Sequence, residues 1–242
     1  MPEMAGFIGV HLGAGNYSES EERNYKKLCR SACRKGSATL LSGGSALDAA
    51  VAATMILESS ALTNAGFGSN LNIDGNVEAP IFGAGCWAED ARKMGNKYIM
   101  DSIAVSTTGC GEYLVRTSLA RELASSCHLS DGSATVPLHT AFTEKYLKRA
   151  KRKFQHNKHS QFLEDVEVSG RLGGAIVLRA IGPTDYLEFL WAHSTKSMCI
   201  GYMLANSESK PKSHISQLPK GSMIGSKVTV EGISLEISPK DC

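Results

Sequence analysis

Three apolar segments, GGAIVLRAI at 173–181, YLEFLWAHS at 186–194 and SMCIGYML at 197–204, succeed one another with only short turn-rich links, Gly182-Pro183-Thr184-Asp185 being the clearest. Runs of this length, rich in β-branched and aromatic side chains and bounded by turn residues, are strands. Their succession predicts a strand meander. A meander has to bury at least one apolar face, so the rest of the chain must supply a covering layer.

The N-terminal half offers that layer. FIGVHLG at 7–13 alternates like a short buried strand and runs into the turn Gly13-Ala14-Gly15. From Ser18 to about Leu41 the period becomes helical, with Tyr25, Leu28, Cys29, Ala32 and Cys33 on one face. A second helix begins at Ser45, where S-A-L-D forms a capping-box-like start. Its near-continuous apolar content, including Leu47, Val51 and Met55, predicts burial on more than one side. Residues 102–106 read as a strand and Gly109-Cys110-Gly111 as a turn, leading into a helix with Leu114, Val115, Leu119 and Leu123 inward; another helix is predicted from about Leu138 to Phe154. The whole reads as an α+β layered fold in one domain, 1–242.

Composition excludes several classes. With 26 basic and 24 acidic residues the formal net charge is +2, so no global field draws nucleic acid or an anionic membrane. The basic run KRAKRKFQHNKHS near Lys148 could serve as a nuclear import signal or nucleic-acid patch, but a solvated helix end is the plainer reading. The N-terminus has no basic region before an apolar run, and no segment approaches the ~18 apolar residues of a membrane span. A cytoplasmic or nuclear, non-secreted protein is expected, with no membrane partner and no direct nucleic-acid partner. The seven cysteines are odd in number with no C-x-x-C pair, as expected of reduced packing thiols, Cys29 and Cys33 among them.

Four G-x-G triplets begin at Gly13, Gly66, Gly83 and Gly109, and none has the third glycine of a dinucleotide fingerprint. The seven histidines are scattered, and H-E-x-x-H and G-x-S-x-G are absent. No metal and no cofactor is implied. His11, beside the first glycine turn, is expected to be satisfied by packing. The glycine turns carry hydroxyls and amides at Asn64, Ser69, Asn70, Thr107 and Thr108. Backbone N–H groups freed at such turns can hold an oxyanion or a carboxylate, or the glycines can simply permit tight turns.

HLGAG at 11–15, TNAGFGSNLN at 63–72, GAGCWAED at 83–90 and STTGCGEYLVRTSLARE at 106–122 resemble, in order, the signature blocks of the threonine aspartases (taspases). These form a branch of the type 2 asparaginase family of N-terminal-nucleophile hydrolases. LGGAIVLR, EFLWAHSTKSMCIGYM and KSHISQLPKGS resemble the C-terminal part of the same branch. The resemblance implies a four-layer αββα sandwich, with 1–78 similar to the N-terminal part of the large subunit and 79–242 to most of the small subunit. It implies an endopeptidase that cleaves protein substrates after aspartate. Its nucleophile is a threonine freed by self-cleavage, whose own amino group is the general base. It also implies substrate and oxyanion roles for Thr108, Gly109, Gly111 and Asn64, and for Gly13 the turn facing the nucleophile.

The nucleophile block of that family, an Asp-Thr-Val-Gly-Ala-like strand, is absent. GNVE at 75–78 runs straight into APIFGAGCWAED. Thr135-Val136 is the nearest imitation, but Pro137 comes next, and a proline there impairs a ladder strand. The expectation is an incomplete sandwich that is inactive as written, with sheet edges and apolar faces left uncovered. Two alternatives are a non-catalytic partner of the full-length enzyme or of itself, and an asparaginase-type amidohydrolase.

Overall fold

The computed structural model describes residues 6–68, 81–94, 97–128, 132–148, 172–181 and 186–236. The seam at Glu78-Ala79, Ser69, Asn70, the Gly182–Asp185 link and the basic run beyond Lys148 lie outside them. Among the described residues, no helix is long and apolar enough to cross a membrane. The chain mixes helices with antiparallel sheet and divides into two compact units.

The first unit holds Met1–Ala79 and Met198–Ser216 together with the C-terminal residues. Strand β1 (Gly6–Gly15) is longer than its apolar pattern suggested. Gly13 lies within it at φ 113°, so the kink expected to end the strand is absorbed inside it. Helix α1 (Glu22–Leu41) buries Cys29, Ala32, Cys33, Gly36 and Ser37. Helix α2 (Ala46–Glu58) starts with a true capping box, in which the Ser45 hydroxyl accepts from the Asp48 N–H and the Asp48 carboxylate from the Ser45 N–H. The core is Ile8, Val10, Leu12, Cys29, Ala32, Cys33, Ala49, Ala53 and Cys199. Cys29 and Cys199 are free thiols with sulfurs 3.7 Å apart. The burial expected of α2 on more than one side is not found. α2 buries only Ala49 and Ala53, while Leu47, Val51 and Met55 are 73, 51 and 60% exposed. Small residues on one face suffice for close helix packing, and the large ones fall one turn apart on the opposite face.

The second unit, Pro80–Ser197 and Gln217–Ser238, is built on a five-stranded sheet. Its strands are β2 (Cys86–Glu89), β5 (Ser102–Gly109), β6 (Gly173–Ile181), β7 (Tyr186–His193) and β10 (Thr229–Glu236), in the order β10-β7-β6-β5-β2. Among the described residues, two short strands, β3 (Arg92–Met94) and β4 (Lys97–Met100), form a separate two-stranded sheet. The meander is broken. The third apolar segment is β8 (Ser197–Ala205), which leaves for the other sheet, order β1-β8-β9, where β9 is Lys212–Gln217. Backbone bonds that hold the link between β7 and β8 include Ser194 N–H to Gly173 O at 2.9 Å, Leu218 N–H to Lys196 O at 2.9 Å and Gly225 N–H to Ser194 O at 2.8 Å. β10 takes the edge of β7 that the meander would have used.

One face of this sheet carries Ile103, Val105, Ala175, Val177, Leu190 and Ala192 into a core with Leu119, Leu123, Phe142 and Tyr146. The helix after β5 is two helices, α3 (Gly111–Thr117) and α4 (Leu119–His128), because Ser118 adopts a left-handed conformation at φ 47° and ends the first. That break changes the helical phase. Leu114, Leu119 and Leu123 are buried as expected, and Val115 faces out. The next helix starts earlier than predicted, as α5 (Thr135–Ala141) with Pro137 tolerated in its first turn, and continues as a wider π-type turn through Phe142–Leu147.

Arg179 is the charged centre of this unit, 2% exposed. Its Nε donates to Asp101 at 2.8 Å, and its Nη1 to the Gly132 carbonyl at 2.7 Å and to Glu188 at 3.2 Å. Glu188 in turn accepts from the Ala134 N–H. Arg179→Leu leaves the buried Glu188 and the half-buried Asp101 without their cation, so we expect a loss of about 3–5 kcal/mol in denaturant unfolding of the full chain.

Candidate active site

The junction of β5 with α3 is where the sequence concentrates candidate residues. The Thr107 hydroxyl donates to the Ala84 carbonyl at 2.6 Å and the Thr107 N–H to Gly85 O at 2.8 Å, which fastens the GAGCWAED block to β5. Thr108 points the other way and is half-buried. Its register partner on β6 is Gly174, whose partner on β7 is His193, so Thr108 and His193 share a face across a residue without a side chain.

Gly109 pairs with Gly173. At φ 144°, Gly109 has a backbone that L-residues rarely adopt, and a Cβ there would lie 2.6 Å from Leu172 O. A Cβ on Gly173 would lie 2.9 Å from the Tyr146 ring. Tyr146 fills that space, and its hydroxyl donates to the Leu172 carbonyl at 2.9 Å. The glycine pair therefore has a complete packing explanation. Gly111 opens α3, and the Cys110 N–H donates to Leu172 O at 3.3 Å.

Among the described residues, Cys110, Thr117 and Thr135 are not arranged as activated nucleophiles. The Cys110 thiol donates to Glu112 at 2.9 Å. Burial and that carboxylate push its pKa up to about 11, which suppresses the thiolate. The Thr117 hydroxyl donates to Tyr113 O at 2.7 Å, and Thr135 begins α5. Each of these threonines is internal, so its nitrogen is a non-basic amide and cannot serve its own hydroxyl as an N-terminal amine does.

A second polar group, which the sequence did not mark, lies at the end of β7. His193, Ser194 and Thr195 are all buried. The His193 Nδ1 is 3.0 Å from the Thr195 carbonyl, which only accepts, so Nδ1 carries the proton and cannot act as base toward the Thr195 hydroxyl 3.3 Å away. That hydroxyl donates to Ser197 O. The Ser194 hydroxyl accepts from the Gly173 N–H at 3.1 Å. The segment EFLWAHSTKSMCIGYM entered the sequence reading only as part of the resemblance, and nothing in the local pattern ties 173 to 194.

Thr108, Gly109 and Gly111 thus belong to one junction of the second unit. Gly13 and Asn64 belong to the first unit, Gly13 inside β1 and Asn64 in the turns after α2. Beside Gly13, the His11 Nδ1 accepts the Gly13 N–H at 3.1 Å, and the Tyr17 hydroxyl donates to Gly13 O at 3.1 Å. Among the described residues, no group of three or more His, Cys, Asp or Glu is arranged to hold a metal.

Comparison with known proteins agrees with the first blocks. Residues 4–79 match the type 2 family model described as asparaginase. A plant-type L-asparaginase of Pyrobaculum calidifontis is 46% identical over 70 residues, 28% of this chain and 23% of the relative. An isoaspartyl peptidase/L-asparaginase of Xenopus laevis is 42% identical over 71 residues, 29% of this chain and 23% of the relative. The protein of that name from Macaca fascicularis is 31% identical over 188 residues, 72% of this chain and 56% of the relative. These matches support the type 2 asparaginase family of hydrolases for the chain, whose aligned part spans between about a quarter and about half of the relatives' length.

This geometry makes the two glycines separable by mutation. Gly173→Ala should destabilise by about 1–3 kcal/mol, and the penalty should shrink in a Tyr146→Leu background, because a ring is what the methyl meets. Gly109→Ala should not be relieved, because its methyl meets backbone. Protonating His11 forfeits its bond from Gly13, and desolvation lowers its pKa from 6.5 to about 4. The folded value lies below the unfolded one, so the stability involved is present above pH 6.5 and is lost as pH falls toward 4. Burial lowers His128 and His193 in the same direction. Urea midpoints should fall through that window, less steeply in His11→Asn.

Proposed function

We propose that this chain is a threonine aspartase-like member of the type 2 asparaginase family that retains part of the substrate-binding framework and is catalytically inactive as it stands. The observation that carries the reading is the ordered set of blocks with GNVE joined directly to APIFGAG where the nucleophile strand belongs. The chemistry of the β5–α3 junction supports it. The hydroxyls of Thr107 and Thr117 are committed to carbonyls, and the Cys110 thiol to a carboxylate. Thr108, Gly109, Gly111, Asn64 and Gly13 keep the substrate and oxyanion roles of the family as part of this proposal, as does the αββα sandwich.

A second reading, a non-catalytic partner of the full-length enzyme or of itself, is favoured by the exposed Leu47, Val51 and Met55 of α2, a face that normally marks an interaction surface. One set of experiments separates these. Incubated with an aspartate-containing peptide, an isoaspartyl dipeptide or asparagine, the purified chain should give no cleaved peptide and no ammonia, and should remain one 25.8 kDa band. Self-cleavage or cleavage of the aspartate peptide overturns inactivity, and ammonia from asparagine points to an amidohydrolase instead. Co-purification with the full-length enzyme that is lost in Val51→Lys supports the partner reading.

A further inference from the structure

Helix α1 carries a row of cations along one side. Arg23, Lys27, Arg30 and Arg34 recur at helical spacing, so they form one stripe roughly 16 Å long, at about 1.5 Å rise per residue. Arg23, Lys27 and Arg34 are exposed and form no ion pair with a described residue. Arg30 Nη1 donates to the Ser213 hydroxyl at 2.8 Å, which sets the stripe beside β9 and its exposed Lys212 and His214. An open depression of about 380 Å³ at the start of the stripe is lined by Glu19, Ser20, Glu22, Arg23, Lys26 and Arg30.

Such a helix could suit a membrane surface, but its apolar side is already committed. Cys29, Ala32 and Cys33 are fully buried in the core of the first unit. Nucleic acid fits less well. Single strands are held by stacking on exposed aromatics, whereas the nearby Tyr17 and Tyr25 pack edge-on against each other at 4.8 Å and are half-buried. Glu19, Glu21 and Glu22 stand at one end of the stripe and would meet a backbone charged at every step. Glu22 pairs with Lys26, and Glu21 accepts from Asn24. An acidic polypeptide can put its carboxylates opposite the arginine forks and neutral residues opposite the glutamates.

We propose that the Arg23–Lys27–Arg30–Arg34 face of α1 is a docking surface for an acidic polypeptide segment. This does not rest on the activity proposed above, and its test measures binding alone. The intact chain is titrated into a fluorescent twelve-residue peptide alternating glutamate and alanine, at low and at near-physiological salt. The same peptide with glutamine for glutamate, and RNA and DNA oligonucleotides of equal charge, serve as comparators. The glutamate peptide should bind, weaken with salt, and weaken by about tenfold in the triple variant Arg23→Gln, Lys27→Gln, Arg34→Gln, as three exposed charge pairs imply. The variant should keep the thermal midpoint of the parent, because the buried side of α1 is untouched. Equal binding by the variant, equal binding of the glutamine peptide, tighter binding of either nucleic acid, or no binding at low salt would overturn the proposal.

Discussion

Everything in the second unit is hung on one buried guanidinium. Arg179 lies on the same face of β6 as Val177 and Ala175, so its side chain enters the layer between sheet and helices. There it reaches Asp101 ahead of β5, Glu188 on β7 and the Gly132 carbonyl ahead of α5. A slip of one residue between β6 and either neighbour would turn that charge to the opposite face and strand three polar partners. The register that satisfies Arg179 at one end of β6 brings Gly173 against Gly109 at the other. Charge pairing at the closed end thus fixes the geometry of the candidate site.

At that site, packing and chemistry use the same residues. Gly109 and Gly173 leave the volume that the Tyr146 ring occupies, and Tyr146 secures Leu172, whose carbonyl also takes the Cys110 N–H. These contacts tie the β5–α3 junction to the start of β6. The Thr107 and Thr117 hydroxyls donate to main-chain carbonyls, which ties them into the turns around the junction. A binding framework separated from its nucleophile strand, as we propose, would have this character, with family resemblance and absent chemistry side by side.

Legibility varied with how local the cause was. The capping box at Ser45 and the burial of Cys29, Ala32 and Cys33 arise from neighbours a few residues apart, and both were readable. The short strands β2, β3, β4 and β9 were not, because three to six half-polar residues carry little period. The inward placement of Val115 failed because a left-handed serine reset the helix. The burial expected of α2 failed because composition cannot say which side of an all-apolar helix meets a neighbour. The His193-Ser194-Thr195 segment lay inside a family-like block, but its bond with Gly173 could not be read, since that partner is about twenty residues away on another strand.

The sequence by itself determined the apolar strand segments, helices α1 and α2 with the Ser45 cap, and the order of the family-like blocks without an Asp-Thr-Val-Gly-Ala-like one, because periodicity, capping chemistry and motif order are properties of neighbouring residues. Only the tertiary structure decided where the third strand of the apparent meander goes. β7 and β8 read as consecutive strands of one sheet, yet β10 takes the free edge of β7 and β8 lies between β1 and β9. Edge pairing is a competition among distant segments for the same backbone hydrogen bonds, and no local pattern records who wins it.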